Sequence, residues 1–240
     1  MTETNVAAII RPALDRGQEA LSEYDSKKVL ACYGIPVTRE GLACNEAEAV
    51  SMAEETGYPV ALKACSSQML HKSEHGAVLL HLADSKAVRE GYRLIAERAT
   101  ASIDGVLVQE MVSGNRELLL GLIRDPQFGP CVMLGIGGVF TEVLEDTAFR
   151  VAPLRHGDAE DMARELRASA LLGVFRGQSA ADLGTLSLSL EALGRIGMEL
   201  DSVVEVDINP AIITPKGEII AADALMVLRS EKPAQLRTPA

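Results

Sequence analysis

Strand-like runs and amphipathic helical stretches alternate along this chain out of step, and that irregular order restricts the fold more than any other feature. Residues 1–22 read as a short leader helix. Ser22 opens the next helix: Ser22 and Asp25 stand at capping-box spacing, and Val29, Leu30 and Tyr33 form an apolar stripe. Gly34 and Pro36 close it, a residue that tolerates left-handed backbone and then a breaker. A helix over 46–56 stops at Gly57-Tyr58-Pro59. Tyr58 to Cys65 then reads as a strand, with Val60, Leu62 and Ala64 alternating against Lys63. Val88, Tyr92, Ile95 and Ala99 share one face of a helix over 86–99. Strands at 105–111 and 116–124 are joined by Ser113-Gly114-Asn115. Helical stripes recur at Met162/Leu166/Ala170 and Leu183/Leu186/Leu190/Leu193, within 159–171 and 181–198. Strands at 203–208 and 218–222 precede a tail over 229–240. A doubly wound parallel sheet would need strict strand–helix alternation. Paired strands in the middle and at the end fit an α+β fold of two α/β lobes better.

Composition narrows the partners. With 240 residues, 48% hydrophobic and 24% charged, the chain has ample material for a buried core. A formal net charge of −11 argues against non-specific nucleic-acid binding, which needs basic surface, while leaving room for a local basic pocket. Cys32, Cys44, Cys65 and Cys131 lie far apart without a Cys-x-x-Cys pair, which reads as reduced, packed thiols. The N-terminal apolar stretch Val6 to Ile10 follows an acidic start and ends at Arg11-Pro12, unlike a signal peptide. No run of 18 apolar residues offers a membrane span. The cytoplasm is the expected compartment.

Several polar residues stand where chemistry is possible. Asp207 and Asn209, at i and i+2 of one strand, share a face, and Asp223 follows 14 residues after Asn209, where a returning strand would lie alongside. Oxygen donors converging in this way suit magnesium shared with a substrate phosphate; the plain alternative is a solvated strand face. Lys63, inside an apolar strand, has either to reach solvent or to meet an anion. The polar segment after it, Ser66 to Ala77, carries His71, Lys72, His75 and Gly76, and suits a lid over a polyphosphate. It is not a Walker loop, which needs a different glycine spacing and a following helix. Backbone at Gln109-Glu110-Met111-Val112 can pair with an adenine edge and Glu117 with ribose hydroxyls, or the segment is an ordinary hairpin with exposed acids. Gly135-Ile136-Gly137-Gly138 is a weak dinucleotide fingerprint, because a strand-like stretch (Val139 to Leu144) follows rather than a helix. Arg176-Gly177 is either an anion contact or a surface turn. His81 and His156 have no companions at ligand spacing and are read as structural.

Taken in order, Leu21-Ser-Glu23, Tyr33-Gly-Ile-Pro36, Tyr58-Pro-Val-Ala-Leu-Lys63, His71-Lys72-Ser73-Glu74, Val108-Gln-Glu110-Met-Val112, Arg124-Asp-Pro-Gln-Phe-Gly129-Pro, Gly137-Gly138-Val-Phe, Ala148-Phe-Arg150 and Asp207-Ile-Asn209-Pro resemble the ATP-grasp β subunit of ADP-forming acetyl-CoA (acyl-CoA) synthetases. The likeness spans about residues 20–228. It implies an ATP-grasp fold with the nucleotide between two lobes, expected at 23–111 and 112–228. The resemblance further implies that Lys63 binds phosphate, Glu110 and Val112 form the adenine hinge, and Glu117 binds ribose. Asn209 and Asp223, with Asp207 beside them, would hold Mg²⁺. ATP or ADP would be the nucleotide, and His71, supported by Lys72, would receive or pass on a phosphoryl group. The implied reaction is acid + CoA + ATP ⇌ acyl-CoA + ADP + phosphate through a phosphohistidine. It is shared with a CoA-binding α subunit in a heterodimer or heterotetramer, and a small carboxylic acid and CoA are the other substrates. Where that family reads Asp-x-Gly-Gly-Val, this chain has Glu74-His75-Gly76-Ala77-Val78, and Ala77 confines the backbone to φ < 0 within the lid.

Two other readings share the same residues. One is an ATP-grasp carboxylate–amine ligase, normally longer and with a substrate-binding N-terminal domain. The other is a nucleotide-sensing regulatory subunit, although Lys63, Asn209 and Asp223 are all retained here.

Overall fold

The computed structural model describes residues 2–66, 78–98, 103–138 and 146–229, and it resolves into two sheets, each covered by helices on one face. Helix α1 spans Thr2–Asp15 and α2 spans Glu23–Cys32. The Ser22 hydroxyl accepts the Asp25 N–H at 3.2 Å, so the expected cap of α2 forms. After strand β1 (Glu40–Ala43), helix α3 (Glu46–Thr56) begins with a reciprocal cap. Asn45 Oδ1 accepts the Glu48 N–H at 2.9 Å, and Glu48 takes the Cys44 N–H at 2.8 Å. Gly57, at φ +92°, ends the helix in backbone that a side chain would resist.

Strands β2 (Val60–Cys65), β3 (Val78–Leu82) and β4 (Gly105–Glu110) join β1 in a four-stranded antiparallel sheet of order β1-β4-β2-β3. Helix α4 (Ser85–Arg98) and α3 cover one face: Val88 and Ile95, with Ala49, Val50 and Ala53, pack on Val60, Leu62, Ala64, Val106 and Val108. Side chains alternate along a strand, so Lys63, Leu107, Gln109 and Glu40 lie on the opposite face.

The larger sheet holds β5 (Arg116–Asp125), β6 (Gly129–Ile136), β7 (Thr147–Val151), β8 (Val203–Ile213) and β10 (Leu225–Leu228), in the order β10-β8-β5-β6-β7, with β9 (Ile219–Ala221) also paired to β8. Its covered face carries Leu118, Leu120, Leu122, Val132, Leu134, Val206 and Ile208. These pack against α5 (Asp158–Glu165), α6 (Leu183–Glu199), α1 and α2 through Met162, Leu186, Leu190, Ile10 and Leu30. Glu117, Leu119, Asp207 and Asn209 alternate onto the other, helix-free face.

Packing divides the chain differently from the boundaries expected at residues 22/23 and 111/112. The leader helix α1 is not an appendage, since Val6, Ile10 and Ala13 are core residues of the larger lobe. Helix α2 belongs there too, and the segment after it runs along β9 through a Val37–Ala221 bridge. The described residues within 39–111 therefore form the smaller lobe as an insertion into the larger one. The supposed hairpin around Ser113-Gly114-Asn115 is a crossing instead: β4 sits in one sheet and β5 in the other. Strands β1, β3, β7 and β10, each five residues or fewer, escape the periodicity reading, as does the longer β6. The helix expected over 159–171 breaks because the Asp146 carboxylate takes the Arg167 and Ala168 N–H groups at 2.8 and 2.9 Å, and a 3₁₀ turn, Ser169–Leu172, follows. The strand-like stretch 139–144 lies outside the described residues.

Candidate functional site

Lys63 settles its own ambiguity by meeting anions. Only 7% exposed, its Nζ lies 2.7 Å from Glu23 Oε1, 3.0 Å from the Ala222 carbonyl and 3.5 Å from Asp223 Oδ2. Burial works against the charge, but Asp223, Glu23 and Glu40 together outweigh it and hold the ammonium's pKa above its usual value. The sequence pattern left this side chain between solvent and an anion. Its face of the strand is buried because α2 and the 222–223 corner of the larger lobe cover it.

Beside Lys63 a second ammonium is buried deeper. Lys27 Nζ contacts Glu23 Oε1 at 2.9 Å, Glu40, Thr38 Oγ1 at 3.1 Å, Gln109 Oε1 at 3.2 Å and the Ala222 carbonyl at 3.3 Å. Gln109 Nε2 donates to the same carbonyl at 3.0 Å. Desolvation, with the charge of Glu23, keeps the Glu40 carboxyl above the usual carboxylate range although Lys27 opposes it. Most of these contacts join the two lobes, so this charge cluster is their buried joint. Sequence reasoning gave no role to Lys27 or Glu40, and none to the side chain of Gln109. A Glu23–Lys27 pair at i,i+4 looks like an ordinary surface pair, and only partners from residues 38–40, 109 and 222 mark it as interior.

Across the cleft, β8 carries Asp207 and Asn209 on the helix-free face of the larger sheet. Leu118 pairs with Ala211 and Leu120 with Ile208, so β8 has one extra residue opposite Leu119, a bulge at Asn209-Pro210. Asp223 sits between β9 and β10. Ala221 pairs with Ala211 and Leu225 with Asp207, which brings Asp223 alongside the bulge as the sequence spacing suggested. Burial first, then the charges of Glu205 and Asp223, raise the Asp207 carboxyl to about 6. Among the described residues no group of three His, Cys, Asp or Glu side chains gathers at metal-binding distance. Two carboxylates and an amide nonetheless fit a hard cation that keeps water and substrate phosphate as its other ligands, and clustered negative charge favours a cation there.

Glu117, the second residue of β5, lies on the same face as Asp207. Gly137 donates to the Glu117 carbonyl at 2.8 Å, and a Cβ on Gly138, whose φ is +85°, would lie 3.1 Å from Glu117 Oε2. The Gly137-Gly138 pair thus lies against Glu117. Glu110 ends β4 at the crossing between lobes. Its carboxylate holds Arg39 Nε and N at 2.8 Å, and its N–H goes to the Arg39 carbonyl at 3.0 Å. Val112 lies two residues on, half-buried within the crossing. Arg176 proves to be a turn residue: at φ 47°, beside Gly177, it closes a Phe175–Gln178 two-residue hairpin. His71, Lys72 and Gly76 lie outside the described residues.

Two lobes meeting over a buried strand lysine, with oxygen donors on the facing sheet, define a nucleotide-cleft protein of the ATP-grasp class. Residues 12–228 match the family model described as ATP-grasp domain. The chain is 41% identical over 213 residues to acetate–CoA ligase [ADP-forming] I subunit beta of Pyrococcus furiosus, covering 87% of this chain and 91% of that one. It also superposes with a TM-score of 0.88 on the dinucleotide-forming acetyl-coenzyme A synthetase 1 of Ca. Korarchaeum cryptofilum in complex with coenzyme A and Ca-AMPCP. The identity there is 44%, with coverage of 93% and 99%. A further structure of the Korarchaeum enzyme, with Mg-AMPPCP and a phosphohistidine segment pointing towards the nucleotide site, matches at 43% identity and a TM-score of 0.83, covering 93% of this chain and all of that one. This chain belongs to the ATP-grasp family, among the β subunits of ADP-forming acetate–CoA ligases. Among the described residues no helix is long and apolar enough to cross a membrane.

Proposed function

We propose that this chain is the nucleotide-binding β subunit of a cytoplasmic ADP-forming acyl-CoA synthetase, acting with a CoA-binding α subunit in a heterodimer or heterotetramer. The observation that carries the reading is the placement of Lys63: a buried ammonium from one lobe stands 3.5 Å from Asp223 of the other, beside Asp207 and the Asn209 bulge. Lys63 engages nucleotide phosphate. Glu110 presents its carbonyl, and Val112 its N–H, to the adenine edge, since the Glu110 N–H and carboxylate are both taken by Arg39. Glu117 accepts from the ribose hydroxyls. Asn209 and Asp223, with Asp207, hold Mg²⁺, which when bound neutralises charge on the transferring phosphoryl group. His71 accepts the phosphoryl group, with Lys72 offsetting its charge and Gly76 letting the lid backbone approach phosphate oxygens. Closing one lobe on the other removes water from the phosphates, so charge–charge contacts there act in a medium of lower dielectric.

Reconstitution tests this. The chain mixed with its α subunit, Mg–ATP, CoA and a short-chain acid is expected to release ADP and phosphate together with acyl-CoA, and the chain alone is expected to make none. His71→Asn in the complex is expected to abolish acyl-CoA formation while nucleotide still binds. Full acid- and CoA-dependent turnover by the isolated chain, or by His71→Asn, would refute the proposal.

A further inference from the structure

We propose that Glu23 is a positioning residue for Lys63: its carboxylate, fixed in the first turn of α2, holds the ammonium in place, and Asp223 is the partner that an incoming phosphate displaces. The inference rests on the assignment of Lys63 to phosphate.

An ammonium has three donors, and here three acceptors face it. Glu23 is the nearest at 2.7 Å, and its side chain has no exposure. The Ala222 carbonyl, at 3.0 Å, is already shared with Lys27 and Gln109. Asp223 is the farthest at 3.5 Å, and its side chain is 40% exposed. Phosphate oxygens entering the cleft have to take one of these places. Displacing Glu23 would leave a buried carboxylate with one charge partner fewer and no water to replace it, which is costly. Displacing Asp223 sends a half-exposed carboxylate into solvent or onto a cation. The labile partner is therefore the one nearest the metal ligands.

Glu23 is also held more firmly than a lone carboxylate. Ser22 caps its helix, and Lys27 binds it at 2.9 Å one turn on, itself tied to Thr38 and Gln109. Because α2 packs in the larger lobe and β2 in the smaller, the Glu23–Lys63 pair sets where the smaller lobe's phosphate ligand stands relative to Asp223.

A double-mutant cycle on the full-length chain decides the matter, with ADP binding measured by calorimetric titration with and without Mg²⁺. Glu23→Gln is expected to weaken ADP about tenfold, the size of a lost charge-assisted contact, and to cause no further loss in a Lys63→Met background. Glu23→Asp, which keeps the charge but falls one methylene short, is expected to give a smaller loss with the same dependence on Lys63. If Glu23→Gln fails to fold by circular dichroism, Glu23→Asp completes the cycle. Asp223→Asn is expected to act with opposite signs, strengthening metal-free ADP about threefold by removing the competing anion and weakening ADP in Mg²⁺. Equal losses from Glu23→Gln with and without Lys63, or weaker metal-free binding in Asp223→Asn, overturn the proposal. Unchanged affinity in Lys63→Met instead removes the phosphate assignment, and the proposal with it.

Discussion

At the buried joint of the cleft, ammonium groups lie against carboxylates; on the larger sheet, Asp207 has carboxylates of its own sign beside it. Lys63 and Lys27 share Glu23 and reach Glu40 and the Ala222 carbonyl. The Asp207 carboxyl, by contrast, is pushed up to about 6 by burial first and then by the charges of Glu205 and Asp223. The first arrangement is a joint that is complete within the protein. The second is complete only when a cation arrives. Asp223 links them, touching Lys63 at 3.5 Å while facing the Asp207–Asn209 strand.

Removing Lys63 is the harshest test of the contrast. Lys63→Met leaves Glu23 and Asp223 with one cation fewer in a dry site, and breaking a buried pair by deleting one partner costs about 3–5 kcal/mol. Urea unfolding is expected to show a loss near the lower end, because Lys27 still neutralises Glu23. A loss within experimental error would mean that the joint adds nothing to lobe packing.

Next in size, Asn209→Ala is expected to lower nucleotide affinity about tenfold in Mg²⁺ and hardly at all in a chelator. Equal weakening in both conditions would place Asn209 on the nucleotide rather than on the metal.

A smaller effect concerns pH. Folded Asp207 keeps its proton to about pH 6, whereas the unfolded chain releases it near the ordinary aspartate value of 3.8. Between those values the folded state binds more protons, so stability falls as pH rises through that window and levels off above it. Without metal, Asp207→Asn is expected to flatten that part of the stability–pH curve and to be more stable than wild type at pH 8. An unchanged curve in thermal unfolding would show that neither burial nor the neighbouring carboxylates hold the Asp207 proton.

The least effect is expected at Arg39, 69% exposed and paired with Glu110. Exposed pairs contribute about 0–1 kcal/mol, so Arg39→Ala is expected to change ATP affinity less than about threefold. A larger loss in the same titration would mean that the Glu110 side chain itself meets the nucleotide.

Much of the architecture could be read from local pattern. The Ser22 cap, the helix Glu46–Thr56, the strand bearing Lys63 and the Asp207/Asn209/Asp223 spacing are set by residues close in sequence, where capping and periodicity act. The lobe boundary was not legible, because α1 and α2 have apolar faces that fit either sheet, and their partners, such as Met226 and Leu228, lie some 200 residues away. Lys27, Glu40 and the Gln109 side chain stayed hidden for the same reason: each looks solvated until three distant segments close over it. The bulge at Asn209-Pro210 depends on register against β5, which no single strand encodes. The recurring order of motifs identified the family where physical reasoning on single residues left alternatives.

The central claim is that Lys63 and Asp223, from opposite lobes, bind one Mg–nucleotide. Titrating Mg–ATP into wild type, Lys63→Ala and Asp223→Ala, each shown to be folded, tests it most directly. The account predicts tight, magnesium-dependent binding to wild type and at least a tenfold loss in either variant. Wild-type affinity in both variants would contradict it.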